Sequence, residues 1–210
     1  WTLTLATDGA ADLAADERHV GDSAFWLRTN LTEPEARAQY IEEQLVGGWL
    51  SGVSVERSVE FQGGLVNGAA QLRYRAHSEG FARKEQGELV VPLGPSVSLA
   101  SQLAPLVRRT LPVVLPPSVA PMHDARVLRL VAPKGFRWGA VPVGGEVMGG
   151  EFGQAKLEAV REGRVLVVRR RVVFDRSVIP VEQYGAWRAF VQSVDGLLHK
   201  TARLVPEEGR

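Results

Sequence analysis

Histidines are the first place to look for chemistry in this chain, and there are four: His19, His77, His123 and His199. None has a second ligand at helical or hairpin spacing, so no metal site and no metal cofactor is expected. His123-Asp124 has the composition of a base and the group that orients it. Two adjacent residues ahead of a strand read instead as an exposed loop pair. No serine sits in a G-x-S-x-G elbow. Cysteine is absent, which removes disulfides, thiolate metal sites and a Cys nucleophile from these residues. Glu56 with Glu60, and Glu158 with Glu162, have the composition of the carboxylate pairs that hydrolyse glycosides. Their setting on strands and turns reads as solvated charge. Gly144, Gly145, Gly149, Gly150 and Gly153 match neither a phosphate loop nor a dinucleotide fingerprint, since no Lys-Ser/Thr or correct spacing follows.

Binding is the other possibility. Arg169-Arg170-Arg171 falls in a strand-like run, where neighbours point to opposite faces. The three therefore make no single patch, and Arg169 and Arg171 remain as paired surface candidates. Trp26, Trp49, Trp138 and Trp187 have the chemistry of a sugar platform. Trp187 belongs to a helix stripe, so Trp138, beside the glycine-rich loop, is kept as the surface candidate among them.

The elements that would position these residues follow from periodicity. Arg164 to Phe174 is β-branched and free of Gly and Pro, a long strand with both faces partly apolar. Pro180 fits a first helical turn. Val181, Tyr184, Trp187, Val191, Val194 and Leu198 then share one helix face. Gly185 and Gly196 interrupt that helix, and Gly185 is read as a place where a strand approaches closely. Earlier, Trp1 to Ala6 alternates into an Asp8-Gly9 turn, and Ala11 to Glu17 reads as the returning strand. His19 to Asn30 is ambiguous between strand and loop. Thr32-Glu33-Pro34-Glu35 has the form of a capping box ahead of a helix carrying Ala38, Ile41 and Leu45. Val53 to Phe61, Ala69 to Ala76, Glu88 to Pro92 and Ala125 to Ala132 read as strands, Arg108 to Leu115 as an edge strand. Ala155 to Glu162 forms a hairpin with the Arg164 strand. Pro92 to Pro121 carries seven prolines and reads in part as a connection between subdomains.

Composition bounds the function classes. Hydrophobic residues make up 45% of the 210, and 25 basic against 24 acidic residues nearly cancel. That balance gives no case for a nucleic-acid partner. No apolar run is long enough for a membrane-spanning segment, and no signal peptide is present. The chain starts within a strand pattern and without Met, so it reads as a piece of a longer polypeptide.

At the C-terminal end the motifs form a pattern. Arg169-Arg170-Arg171 to Val173, Ile179-Pro180, Tyr184, Trp187-Arg188-Ala189-Phe190 and Val194-Asp195 resemble the close of bacterial exported proteins with a transglutaminase-like core. Asp8-Gly9, Ala24 to Leu31 with Arg28 in a strand, Arg108-Arg109 with Leu111-Pro112, Pro133 with Gly135-Phe136, and Val141-Pro142 resemble further segments of that family. The resemblance implies a region C-terminal to the core, with the Cys-His-Asp set upstream and no catalytic residue here. It also implies export to the periplasm or cell envelope.

The expected fold is mainly β, in antiparallel β-sandwich-like subdomains each with one packed helix. Residues 1–100 would hold a helix near 33–46, and residues 101–210 would be closed by a helix near 181–198; a single continuous domain is the alternative. The expected function is a non-enzymatic accessory module that positions the upstream transglutaminase-like core or binds a protein or peptide partner, without a cofactor. Its binding candidates are Trp138, Arg169 and Arg171. A stand-alone carbohydrate- or cell-wall-binding sandwich is the alternative. A hydrolase whose site only the fold assembles is a third reading, and it needs a clustered His and carboxylate in a deep pocket.

Overall fold

The computed structural model describes residues 1–65, 68–116 and 119–207. In chain order, β1 (Thr2–Leu5) turns through Asp8-Gly9 into β2 (Ala11–His19). α1 (Gly21–Asn30) and α2 (Pro34–Tyr40) follow, the latter continuing into a π-helical turn over Ile41–Val46. Then come β3 (Val53–Val55), β4 (Glu60–Gln62), β5 (Ala70–Ser78), β6 (Arg83–Glu85) and β7 (Glu88–Pro92). The middle of the chain holds the short α3 (Leu99–Leu103), β8 (Val113–Val114), β9 (Met122–Val131), β10 (Phe136–Trp138) and β11 (Gly145–Met148). The last third is β12 (Gly153–Glu162), β13 (Val165–Phe174), β14 (Val178–Ile179), α4 (Tyr184–Leu198) and β15 (Thr201–Pro206).

The fold is mainly β. Nine strands form one sheet in the order β11-β12-β13-β9-β1-β2-β5-β3, with β4 also on β5. All its neighbours are antiparallel except β1 and β9, which run parallel. A second sheet runs β10-β15-β7-β6, and β8 pairs with β14. Each of the two larger sheets mixes strands from both halves of the chain. The expected division at residue 100 is therefore corrected: residues 1–100 and 101–210 do not close separate sheets. The proline-rich connection does not separate them either. A Cβ on Gly94 would lie 2.1 Å from the Leu198 carbonyl oxygen, so residue 94 packs directly on the end of α4. Asp195 of α4 accepts from the Leu99 and Ala100 N–H groups, at 2.7 and 2.9 Å, at the start of α3. Of the prolines in this stretch, Pro117 lies outside the described residues.

One face of the large sheet is the core. Leu3, Leu13, Leu72, Tyr74, Leu128, Leu130, Leu166, Val168 and Phe174 are buried there, in one cluster with Leu89, Val91, Ala202 and Leu204 of the small sheet. Of the predicted stripe, Tyr184, Trp187, Val191, Val194 and Leu198 are buried on α4, whereas Val181 lies in a 3-10 turn ahead of the helix and is half-buried. Trp187 meets Phe152 and Phe174 edge-on, at centroid distances of 5.7 and 5.5 Å. Gly185 faces open space, so no strand among the described residues approaches it.

Several local expectations shift. α2 starts at Pro34, which makes Glu33 the cap residue, and no side chain caps that N-terminus. Pro34 pre-sets the first helical φ, so Thr32 lies one residue too early for a capping box. Ala24 to Leu31 is helical for most of its length rather than a strand. Val53 to Phe61 is broken into β3 and β4, both paired to β5. Of the expected edge strand, Val113–Val114 pairs with β14, and the Leu115 N–H donates to the Ser177 carbonyl at 2.7 Å. β15, which completes the small sheet, was not among the expected strands.

Candidate functional site

The outer face of the large sheet is built by alternation. Glu158 and Lys156 of β12 stand opposite Arg169 and Arg171 of β13, which stand opposite Val127 and Ala125 of β9. Directly opposed residues share a face, so these six side chains form one grid. They line a shallow groove of about 270 Å³, with Arg126 and Arg170 between them in the strands. Lys156 pairs with Glu158 at 2.7 Å. Its hydrogen bond and charge hold the Glu158 carboxyl below its usual range, with a smaller contribution from Arg169, and Lys156 is raised in turn. Arg169 and Arg171 are exposed and have no ion-pair partner among the described residues. Three cations thus face the Glu158 carboxylate over a floor of Ala125 and Val127, with Glu146 of β11 opposite Lys156 at the groove's rim.

Arg170 points the other way, as alternation requires, and is 7% exposed. It reaches a second constellation on the core side. Asp124 accepts from Arg170 and from Arg126 Nε, the latter at 3.1 Å. The Arg126 guanidinium lies 4.6 Å from the Trp1 ring centroid and 4.8 Å from that of Trp49, and Arg170 lies 3.9 Å from Trp49. These are cation–π distances. Burial pulls Arg170 down to about 10, against the opposing pull of Asp124, so it stays charged at neutral pH. Burial would raise the Asp124 carboxyl, but the two arginines outweigh it and hold it low.

The same network continues into β2. Glu17 accepts from Trp1 Nε1 at 2.6 Å, from the Tyr74 hydroxyl at 2.8 Å, and sits 2.8 Å from His19 Nε2. His19 Nδ1 is 2.7 Å from Ser23 Oγ, in the first turn of α1. Burial pushes Glu17 upward, yet hydrogen bonds from His19 and Tyr74 and the charge of Arg126 leave it below its ordinary value. The Tyr74 hydroxyl is pushed well up by burial and by the Glu17 charge.

The predicted binding residues divide. Arg169 and Arg171 lie together in the groove. Trp138 does not: it is fully buried, and its Nε1 donates to the Arg164 carbonyl at 3.0 Å. Its register opposite Leu204 of β15 turns the indole inward, so Trp138 is corrected from surface candidate to core residue. The His123-Asp124 pair lies within β9 rather than a loop, which sends Asp124 inward and leaves His123 exposed. From the sequence, His19 is named only to be set aside for want of a second ligand, and neither Glu17 nor Ser23 is singled out. Reading β2 through to His19 would have placed Glu17 and His19 on one strand face.

No protein-family profile matches the chain, and no curated protein does. A solved structure from Parabacteroides distasonis ATCC 8503, named a "putative protease", is similar at 12% identity with a TM-score of 0.45. The match covers 57% of this chain and 24% of that one, so the chain spans about a quarter of that protein's length. A likeness of this strength carries no argument about fold or activity. No helix among the described residues is long and apolar enough to cross a membrane.

Proposed function

We propose that the chain is an accessory interaction module that holds an extended acidic segment of a protein partner across the outer face of its large sheet. The observation that carries the reading is the groove between β9, β12 and β13. Lys156, Arg169 and Arg171 stand there over small and apolar floor residues. Lys156 engages Glu158 and, at the rim, Glu146, and the two arginines are left without an ion-pair partner among the described residues. Arginine forks pair carboxylates in two-point contacts, and an extended chain laid over a sheet places alternate side chains on it. The terminal motifs that resemble exported transglutaminase-like proteins support the context. In that context the module sits in the periplasm or envelope, and the acidic segment belongs to the upstream core of the same polypeptide. The groove itself needs no catalytic group and no cofactor. A sugar-platform reading has lost Trp138, the residue it rested on.

The test is fluorescence anisotropy with a labelled peptide of alternating Glu and Val, and with its Lys-Val counterpart. Saturable binding of the acidic peptide alone is expected, and it weakens as salt screens the contacts. The double change Arg169→Ser and Arg171→Ser should reduce affinity on the order of tenfold or more, while Lys134→Ser, in a distant turn, leaves it unchanged. Equal binding of both peptides, or binding indifferent to the arginine changes, overturns the proposal. So does binding of a neutral oligosaccharide with neither peptide bound.

A further inference from the structure

We infer that Ser23 is a reactive nucleophile, activated through His19 and Glu17, that takes acyl groups from small apolar esters. This goes beyond the groove reading and rests on residues of the opposite sheet face and of α1.

Three groups stand in one hydrogen-bonded line. Ser23 Oγ is 2.7 Å from His19 Nδ1, and His19 Nε2 is 2.8 Å from Glu17 Oε2. The other Glu17 oxygen accepts from Trp1 Nε1 and the Tyr74 hydroxyl, at 2.6 and 2.8 Å. A carboxylate held on both oxygens is an acceptor only. The neutral imidazole must then carry its proton on Nε2 and turn the Nδ1 lone pair to the serine hydroxyl. That protonation pattern is what activates a hydroxyl nucleophile: a base at its oxygen and a third group orienting the base. Here Nδ1 rather than Nε2 faces the serine, and with Nε2–H held by Glu17, Nδ1 is the nitrogen that accepts its proton.

Exposure grades along the line in the useful direction. The Ser23 residue is exposed, whereas the His19 and Glu17 side chains are 18% and 12% exposed. Trp26 lies one helical turn after Ser23, and Val20 is the extended cap residue at the start of α1; they are 49% and 56% exposed. This apolar ledge around an uncharged nucleophile fits an apolar acyl chain and selects against charged substrates. The first-turn N–H groups of α1 have no acceptor within the helix, which provides donors for a developing oxyanion.

The step balances without a co-reactant other than water. Ser23 Oγ adds to the ester carbonyl carbon as its proton passes to His19 Nδ1, and Glu17 holds the imidazolium through Nε2–H. The adduct collapses, the bond to the alcohol oxygen breaks, and that oxygen takes the proton from Nδ1. Water then adds to the acyl-Ser23 carbonyl with His19 as base. The acid departs, and the proton returns to Ser23 Oγ.

The test is labelling of the folded chain with an alkyl fluorophosphonate, mapped by peptide mass spectrometry, alongside hydrolysis of p-nitrophenyl butyrate. Ser23 should be labelled on the order of a hundredfold faster than in the heat-unfolded chain, the scale of general-base assistance. Labelling should vanish in Ser23→Ala, whose exposed position leaves the fold intact. It should fall to the unfolded rate in His19→Gln and in Glu17→Gln, with circular dichroism confirming their folding. Arg169→Ser with Arg171→Ser should leave it unchanged, which separates this inference from the groove. Folded and unfolded rates that agree, adducts on other serines only, or a His19→Gln rate equal to the parent's would each overturn the assignment.

Discussion

Glu17 and Asp124 show how much one carboxylate can organise. Glu17 gathers Trp1, Tyr74 and His19, and Asp124 gathers Arg126 and Arg170. Burial opposes the charged form of both, and their partners overcome it, so both titrate below the usual carboxylate range in the folded chain. The folded state then binds fewer protons than the unfolded state as pH drops through about 4, the unfolded carboxyl value. Each group contributes stability above that value and loses it as pH falls through the lower folded value. Asp124→Asn should therefore lower the melting temperature at pH 7, and the gap to the parent should narrow as melts are taken down to about pH 2.5. A gap that stays constant across the series would mean that the Asp124 charge is not what holds the two arginines. At this scale the sequence was legible where alternation alone decides. Arg169 and Arg171 share a face because they are two apart in an uninterrupted strand. Trp138 was not legible, because a three-residue strand with a glycine after it gives no face pattern, and the pairing that buries it comes from β15, sixty-odd residues on. Glu17 and His19 were hidden by the low β propensity of the Ala- and Asp-rich β2, which blurred its end.

At the scale of elements, strong periodicity carried through. The α4 stripe repeats at three and four with two aromatics, and the long β13 has no breaker, so both formed where their patterns lie. β13 is also covered on both sides for part of its length, with Val167 and Val173 buried on the face opposite Leu166 and Phe174. Elements decided by partners were less legible. The alternation of Val53 to Phe61 is real, yet β5 accepts only its two ends. α4 also keeps a local defect that its packing tolerates. A Cβ at Gly185 or Gly196 would meet nothing within 4 Å, and neither glycine has a positive φ. Replacing each by Ala removes the entropic cost of glycine in a helix without a clash, so each should stabilise the chain by about 0.5–1 kcal/mol. Urea melts at constant slope are the measurement. A loss of stability in either variant would show that the glycine backbone is needed where the fold leaves room.

Over the whole molecule, the β content was readable from composition and short alternating runs, but the division into halves was not. Sequence proximity suggested that the prolines after residue 92 separate two units. Long-range pairing decided otherwise, because the parallel β1–β9 contact and the β7–β15 ladder each join the N-terminal half to the C-terminal half. Cutting between them exposes what those ladders bury. Without β9, the edge of β1 opens beside Leu3, which is fully buried in the intact chain; without β7, β15 loses the partner beside Ala202 and Leu204, both fully buried as well. Open edges and stripped apolar faces are unfavourable in both fragments. Fragments 1–100 and 101–210, expressed separately, should therefore each lack a cooperative thermal transition, while the intact chain gives one. The decisive arm is mixing the two. If β1 with β9 and β7 with β15 are what join the halves, the mixed fragments regain a transition whose midpoint rises with concentration, as for any bimolecular assembly. Two independent transitions in the separated fragments, unchanged on mixing, would mean that each half closes its own core and that the cross-half ladders add little to stability.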